Sequence, residues 1–165
     1  MAVIRDRDSH GLGHIRNNGM MSRNTAEAII AQLDLSPHPE GGWFRETWRA
    51  DCPPGKRASA TAILFLLEAH DRSHWHKVDA TELWLWHAGA PLTLSISTDK
   101  SGPVHDVALD PDVLSGELPQ VIVPADQWQA ARPLGGWALV SCVVSPGFEF
   151  NGFELAPAGW EPDRD

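Results

Sequence analysis

The chain has 165 residues, of which 42% are hydrophobic, and a formal net charge of −9 at pH 7. This length is enough for one domain with its own core, and the negative charge repels phosphate backbones, so nucleic acid is not expected as a partner. The sequence contains no apolar run of 18 residues and no apolar block behind its N-terminal arginines. It therefore predicts neither a transmembrane helix nor a secretory signal, and we expect a cytoplasmic protein without a membrane partner.

The first 22 residues are rich in turn formers and contain little that could be buried, which predicts a disordered N-terminal tail over residues 1–22. No linker or internal repeat divides the remainder. We therefore expect a single domain over residues 23–160 and a short C-terminal tail over residues 161–165. Cys142 lies in an apolar run and is interpreted as a small buried hydrophobe, whereas no partner is evident for Cys52.

Residues 24–33 carry an apolar stripe with helical spacing, and Asn24 followed three residues later by Glu27 is typical of a helix start. The rest of the chain alternates between short apolar stretches and turns rich in Pro and Gly, which is typical of strands. The predicted strands are 43–49, 61–67, 73–77, 82–86, 91–97, 103–108, 120–124, 128–131, 137–144 and 151–155. About ten short strands without intervening helices indicate an all-β sandwich or small barrel.

Residues 73–89 concentrate titratable side chains as no other stretch does. In a regular strand His74 and His76 share one face, and in the following strand Glu82 shares a face with Trp84 and Trp86. Two imidazoles and a carboxylate brought together across a hairpin can hold a divalent metal or move a proton.

Other interpretations of these residues remain open. The two histidines could instead be cavity residues that only form hydrogen bonds with their neighbours. Glu82 could form a structural ion pair with Lys77 or Arg132. The two tryptophans either fill the core or form an apolar wall against which a ring stacks.

Five segments together resemble the small single-domain cupins grouped as cupin type five. The His74-x-His76 pair with Glu82 and Gly89 is similar to the first cupin motif, and residues 124–132 are similar to the second. The remaining three segments are 38–48 (His-Pro-Glu-Gly-Gly-Trp-Phe-Arg-Glu-Thr-Trp), 60–67 (Ala-Thr-Ala-Ile-Leu-Phe-Leu-Leu) and 145–154 (Ser-Pro-Gly-Phe-Glu-Phe-Asn-Gly-Phe-Glu). The resemblance covers residues 24–160.

This resemblance implies an all-β jelly roll, the cupin double-stranded β-helix, with one short N-terminal helix. It also implies a homodimer and a ligand cavity in the mouth of the barrel, and it places Glu46 at that cavity. Two departures from the pattern bear on a metal. The interval between His76 and Glu82 is one residue longer than usual, and Gln129 stands where cupins place a third ligand histidine. Glutamine binds Zn, Fe or Ni more weakly than imidazole does.

The sequence thus predicts a cupin that binds a small polar organic molecule. In the first hypothesis it is an isomerase, epimerase or lyase in which His76 removes a proton next to a carbonyl, Glu82 returns or orients it and Gln129 hydrogen-bonds the substrate oxygen. The second is a non-catalytic binding or sensing protein. The third is an oxygenase with Zn, Fe, Ni or Mn on His74, His76 and Glu82. The chain has no tyrosine, which excludes the pairing of a His base with a Tyr acid used by cupin-fold sugar epimerases.

Overall fold

The structure is a computed structural model that describes residues 25–164, so the tail predicted over residues 1–22 lies outside the described part. Within it, one α-helix, α1, spans Ala26–Leu33 and is followed by eleven strands and two short 3₁₀ turns, Val113–Ser115 and Phe150–Gly152. The strands are β1 Ser36–Pro37, β2 Trp43–Arg49, β3 Thr61–Leu67, β4 Ser73–Val78, β5 Thr81–Gly89, β6 Leu92–Ser97, β7 Val104–Leu109, β8 Gln120–Val123, β9 Trp128–Pro133, β10 Ala138–Ser145 and β11 Phe153–Leu155.

The strands form two antiparallel sheets that face each other. One sheet has the order β1-β2-β3-β10-β5-β8 and the other has the order β11-β4-β9-β6-β7. Neighbours in each sheet are mostly distant in sequence, as in a jelly roll. The predicted all-β cupin architecture with one N-terminal helix is confirmed.

The main core lies between the sheets because alternate side chains of each strand point inward. In β10, for example, Ala138, Val140, Cys142 and Val144 are buried while the residues between them are not. The largest fully buried side chain is Trp84. Helix α1 covers the outer side of the six-stranded sheet and packs against it through a second apolar cluster. This second layer explains why β3 reads as a nearly continuous apolar run.

Helix α1 begins one residue later than the sequence pattern suggested. Its N-cap is Thr25, which has an extended backbone and accepts a hydrogen bond from the Ala28 N–H at 3.3 Å. Asn24, the expected cap, lies before the described residues. The C-cap residue Asp34, which follows the last helical residue, has a left-handed backbone conformation. Among residues 25–164, no helix is long and apolar enough to cross a membrane.

A bulge in β4 determines which of its side chains face the interior. Ser73 pairs with Ala131 and His76 pairs with Gln129, so β4 has one more residue in this interval than β9. Such an extra residue breaks the alternation of a strand. As a result Ser73 and His76 both face inward although they are three residues apart, and His74 does not share a face with His76. The prediction that His74 and His76 point the same way is therefore wrong.

Candidate functional site

A cavity of about 300 Å³ lies between the two sheets, with walls from β2, β3, β4, β5, β10 and β11. Aromatic and aliphatic side chains form most of its surface. These residues are Phe44, Ile63, Val78, Val144, Phe148, Phe150 and Phe153. Titratable side chains line much of the remainder, among them the buried side chains of His38, Glu40, His76 and Glu82. The cavity thus combines a hydrophobic wall with a buried acid–base cluster, which is the usual composition of a small-molecule site.

Glu40 reaches the cavity from the tight turn that joins β1 to β2. Gly41 in this turn has φ +106°, a conformation that favours glycine, and a Cβ there would overlap the carbonyl oxygen of Arg72. The Glu40 carbonyl also accepts a hydrogen bond from the His74 N–H at 2.7 Å. The His-Pro-Glu-Gly-Gly segment therefore brings a carboxyl group close against β4 and holds it there.

The side chain of Glu40 lies between Ser73 and two histidines. Its Oε1 accepts a hydrogen bond from the Ser73 hydroxyl at 2.9 Å, and its Oε2 lies 3.4 Å from Nε2 of His76. Oε2 is also 3.4 Å from Nδ1 of His38, but that nitrogen accepts the Glu40 backbone N–H at 3.3 Å. A nitrogen that accepts an N–H carries no proton, so we regard the His38 contact as neutral and not as an ion pair.

The hydrogen bonds of His76 determine where its proton sits. Nδ1 lies 2.8 Å from the carbonyl oxygen of His74, which can only accept, so Nδ1 must be the donor. In the neutral ring Nε2 then carries a lone pair directed at Oε2 of Glu40. Oε2 of Glu40 lies 3.4 Å from Nε2, so a proton on the Glu40 carboxyl group would face the unprotonated nitrogen of His76.

Burial shifts the pKa values of both groups toward their neutral forms. Burial raises the pKa of Glu40 to about 7, against the opposing effects of His38 and the Ser73 hydroxyl. Burial likewise lowers the pKa of His76, although the Glu82 carboxylate and the hydrogen bond to His74 oppose that change. Both effects favour a neutral Glu40–His76 pair with the proton on the carboxyl group. The Glu40 carboxyl group then loses this proton near neutral pH.

Glu82 is held by a second buried network. Its Oε2 accepts a hydrogen bond from Nε2 of Gln129 at 2.6 Å, and Oε1 of Gln129 accepts the indole N–H of Trp84 at 2.9 Å. Because an indole N–H only donates, the orientation of the Gln129 amide is determined. Burial raises the pKa of Glu82, the imidazole of His76 opposes that rise and the carboxyl of Glu40 adds to it. The neighbouring thiol of Cys142 acts in the same direction as Gln129, and both lower the pKa of Glu82.

The structure brings some of the predicted site residues together. His76, Glu82 and Glu46 all line the cavity. Glu46 lies toward the entrance, where it forms a bidentate ion pair with Arg49 at 2.7 and 3.0 Å. The alternative ion pairs of Glu82 are not formed, since Lys77 pairs with Glu154 at 3.0 Å and Arg132 is exposed.

Other predicted residues lie elsewhere. Trp84 is fully buried in the core and Trp86 packs against the same cluster, so neither lines the cavity, whose described walls contain phenylalanine and no tryptophan. Gln129 is buried and both ends of its amide are occupied. It therefore positions Glu82 and does not face a ligand. His74 lies outside this cavity, with its Nε2 2.9 Å from the carbonyl oxygen of Pro157.

These placements do not fit the metal site considered from the sequence. His74 is directed away from His76 and Glu82, and the Gln129 oxygen is committed to Trp84. Across residues 25–164, no group of three or more His, Cys, Asp or Glu side chains is arranged to hold a metal ion. We therefore derive no chemical step through a metal.

Sequence reasoning missed several cavity residues. The sequence singles out neither His38 nor Glu40 as a candidate site residue, and it predicts only a core-filling role for Cys142. The three phenylalanines of residues 148–153 were not recognised as cavity walls. The signal was present in the two segments that carry the family resemblance most specifically, 38–48 and 145–154, since both supply cavity residues.

Comparison with known proteins agrees with this architecture. Residues 27–156 match the family described as Cupin superfamily (DUF985), and the chain belongs to this family. A hypothetical protein from Leishmania major is 35% identical with a TM-score of 0.71, over 81% of this chain and 88% of that one. A protein from Shewanella oneidensis is 36% identical with a TM-score of 0.75, over 81% of this chain and 85% of that one.

A more distant likeness concerns the fold alone. Oxalate decarboxylase from Bacillus subtilis is 15% identical with a TM-score of 0.56, and the match covers 75% of this chain but 31% of that one. No curated protein matches the chain. The activity must therefore be argued from the site itself.

Proposed function

We propose that this cupin binds a small organic molecule in its cavity and transfers a proton on it, as an isomerase, epimerase or lyase does. One observation carries the proposal: two buried proton carriers, the Glu40–His76 pair and Glu82, line the same aromatic-walled cavity. Groups whose pKa values are shifted by burial are typical of sites of acid–base catalysis.

The chemistry follows from these two groups. With Glu40 ionised and His76 neutral, the pair accepts a proton from a carbon next to a carbonyl, and the C–H electron pair moves into the enolate. Glu82, protonated at the start, then returns a proton to the same or a neighbouring carbon. The product is an isomer of the substrate, and proton exchange with water then returns the pair and Glu82 to their starting protonation states. Gln129 contributes by orienting Glu82, which replaces the role in substrate binding expected for it from the sequence.

The charges around the cavity indicate the class of ligand. Four carboxyl groups line it, from Glu40, Glu46, Glu82 and Glu149, whereas the one cation among its described walls is Arg49. Arg49 is already paired with Glu46. We therefore expect a neutral or cationic ligand with an apolar part and a carbonyl group, in preference to a nucleotide or another polyanion. A volume near 300 Å³ equals that of about ten water molecules, which indicates a compact ligand.

The test begins with a thermal-shift screen of neutral and cationic carbonyl compounds, with acidic analogues alongside. Each ligand found is then incubated with the protein in D₂O and followed by proton NMR. We expect solvent deuterium to enter the carbon next to the carbonyl. We expect His76→Asn to slow this exchange by at least about 100-fold while retaining binding, because acid–base groups contribute rate enhancements of that order.

The matched control is His105→Asn, which makes the same change at an exposed position on β7. Exchange that persists in His76→Asn at the wild-type rate would exclude this residue as part of the base. Binding without exchange in the wild-type protein would support the alternative function, non-catalytic ligand binding. The polar groups of the cavity already hydrogen-bond with one another, and this observation is what favours that alternative.

A further inference from the structure

A second cavity, of about 110 Å³, lies on the other side of β4 and collects positive charge in an acidic protein. We call it the arginine cavity, and its charged lining consists of Arg72, Arg132, Arg164 and Glu161, together with His74. The chain carries a net charge of −9, and residues 25–164 contain nine lysines and arginines. Three of these nine line this one small cavity.

Two of the three guanidinium groups form no close ion pair in the part of the chain that the structure describes, and the charge of Arg132 acts on Asp106 only by lowering its pKa. Arg164 pairs with Asp106 at 3.2 Å, and Asp106 also accepts the Ser95 hydroxyl at 2.5 Å. Arg72 and Arg132 form no ion pair with any described carboxylate, and both are exposed. Like charges brought close together repel each other, so an anion between them would be stabilised.

His74 adds hydrogen-bonding capacity to the same cavity. Its Nε2 lies 2.9 Å from the carbonyl oxygen of Pro157, which can only accept, so Nε2 must donate. Its Nδ1 is buried and has no hydrogen-bond partner among the described residues. Because Nε2 carries the proton of the neutral ring, Nδ1 is an acceptor, and the hydroxyl group of a protonated oxyanion is a donor that can pair with it.

We propose that the arginine cavity is a binding site for a small oxyanion of the phosphate type. Guanidinium groups bind tetrahedral oxyanions through paired, charge-assisted hydrogen bonds, and neither Arg72 nor Arg132 is engaged in a close ion pair with a described residue. A volume of about 110 Å³ equals that of three or four water molecules, which suits a single phosphate group. Glu161, an exposed residue of the lining, offsets part of the positive charge.

The arginine cavity is separate from the aromatic-walled cavity, although the two share β4. Ser73 lines the arginine cavity, and its hydroxyl donates to Glu40 in the other cavity. The two sites differ in charge, so they call for different ligands. The anion site therefore goes beyond the proposed proton transfer, and failure of either proposal leaves the other standing.

The test is a calorimetric titration of the full-length chain with inorganic phosphate, in which sodium chloride keeps the ionic strength constant. We expect one saturable site. We expect Arg72→Gln and Arg132→Gln each to raise the dissociation constant by about tenfold or more, because each removes a charge-assisted interaction. Arg45→Gln is the matched control, since Arg45 is an exposed arginine on β2 with no ion pair to a described residue. It should leave the dissociation constant unchanged.

Two results would overturn the proposal. One is the absence of saturable phosphate binding in the wild-type protein. The other is equal weakening by all three substitutions, which would mean a general charge effect. A parallel titration with methyl phosphate identifies the source of the anion. Tighter binding of inorganic phosphate indicates the free ion, and tighter binding of the ester indicates a phosphorylated molecule. Arg72 and Arg132 are exposed, so both variants should keep the wild-type unfolding midpoint without phosphate.

Discussion

Replacement of Glu40 by Gln removes the titrating carboxyl group from the centre of the site and keeps its size. The amide cannot ionise, so the variant should lose a pH dependence of stability that the wild-type protein has. The carboxyl group is buried, lies 3.4 Å from Nε2 of His76 and has a pKa raised to about 7. The measurable consequence is that the difference in the free energy of unfolding between the wild-type protein and Glu40→Gln changes with pH.

The sign follows from proton binding. Between the ordinary pKa of 4.5 and the folded-state value of about 7, the folded protein binds more protons at Glu40 than the unfolded chain does. The free energy of unfolding therefore falls as pH rises through this window, and the loss is complete above it. A shift from 4.5 to about 7 corresponds to roughly 3 kcal/mol at about 1.4 kcal/mol per unit.

The assay is urea unfolding of the wild-type protein and Glu40→Gln at intervals from pH 5 to pH 8. The variant should gain roughly 2.5 kcal/mol relative to wild type between pH 5 and pH 8, whatever constant difference the lost hydrogen bonds add. Glu46→Gln makes the same change at an ion-paired position of the same cavity and controls for the loss of one negative charge. Coincident pH profiles for the two variants would refute the assignment of a buried carboxyl group with a raised pKa.

Three further outcomes are expected. In urea unfolding, Gly41→Ala should lower the free energy of unfolding by more than about 2 kcal/mol, because the new Cβ would overlap a backbone carbonyl. Gly55→Ala, whose Cβ would meet no atom within 4 Å, should lower it by only about 1 kcal/mol. Equal losses would contradict this explanation. Gln129→Leu should lower the free energy of unfolding by about 2–4 kcal/mol, because it leaves the Trp84 indole and the Glu82 carboxyl group buried and unpaired. The control Gln120→Leu, at an exposed position of β8, should lower it by less than about 0.5 kcal/mol. A loss below about 1 kcal/mol for Gln129→Leu would argue against the network. The rate of deuterium exchange into a bound ligand should rise as the pH increases through about 7, because Glu40 loses its proton there. A rate that falls over this range would show that the pair of Glu40 and His76 does not act as the base.

Much of the fold could be predicted from local patterns in the sequence. Strand periodicity and turn residues located the ten longer strands to within a few residues. The nearly continuous apolar run of β3 is typical of a strand covered on both faces, as it is here. The resemblance of residues 38–48 and 145–154 to the cupin family indicated the architecture. These signals are local, because a strand pattern depends on the period of the side chains along one segment.

The convergence of His76 and Glu82 on one cavity was also predicted, since a hairpin places neighbouring strands side by side. In the structure the two residues do line one cavity as predicted, although β4 and β5 belong to different sheets. The packing of the two sheets brings them together, and not a shared hairpin.

The composition of the site was decided only by the tertiary structure. One extra residue in β4 turned His74 toward Pro157 and placed it in the arginine cavity, which no regular alternation could predict. Glu40 is remote in sequence from His76, and a glycine turn pressed against the Arg72 carbonyl brings them within 3.4 Å. Periodicity along the chain reports which face a side chain occupies within a regular strand. Bulges and contacts between distant segments depend on how the sheets pack, so they become visible only in three dimensions.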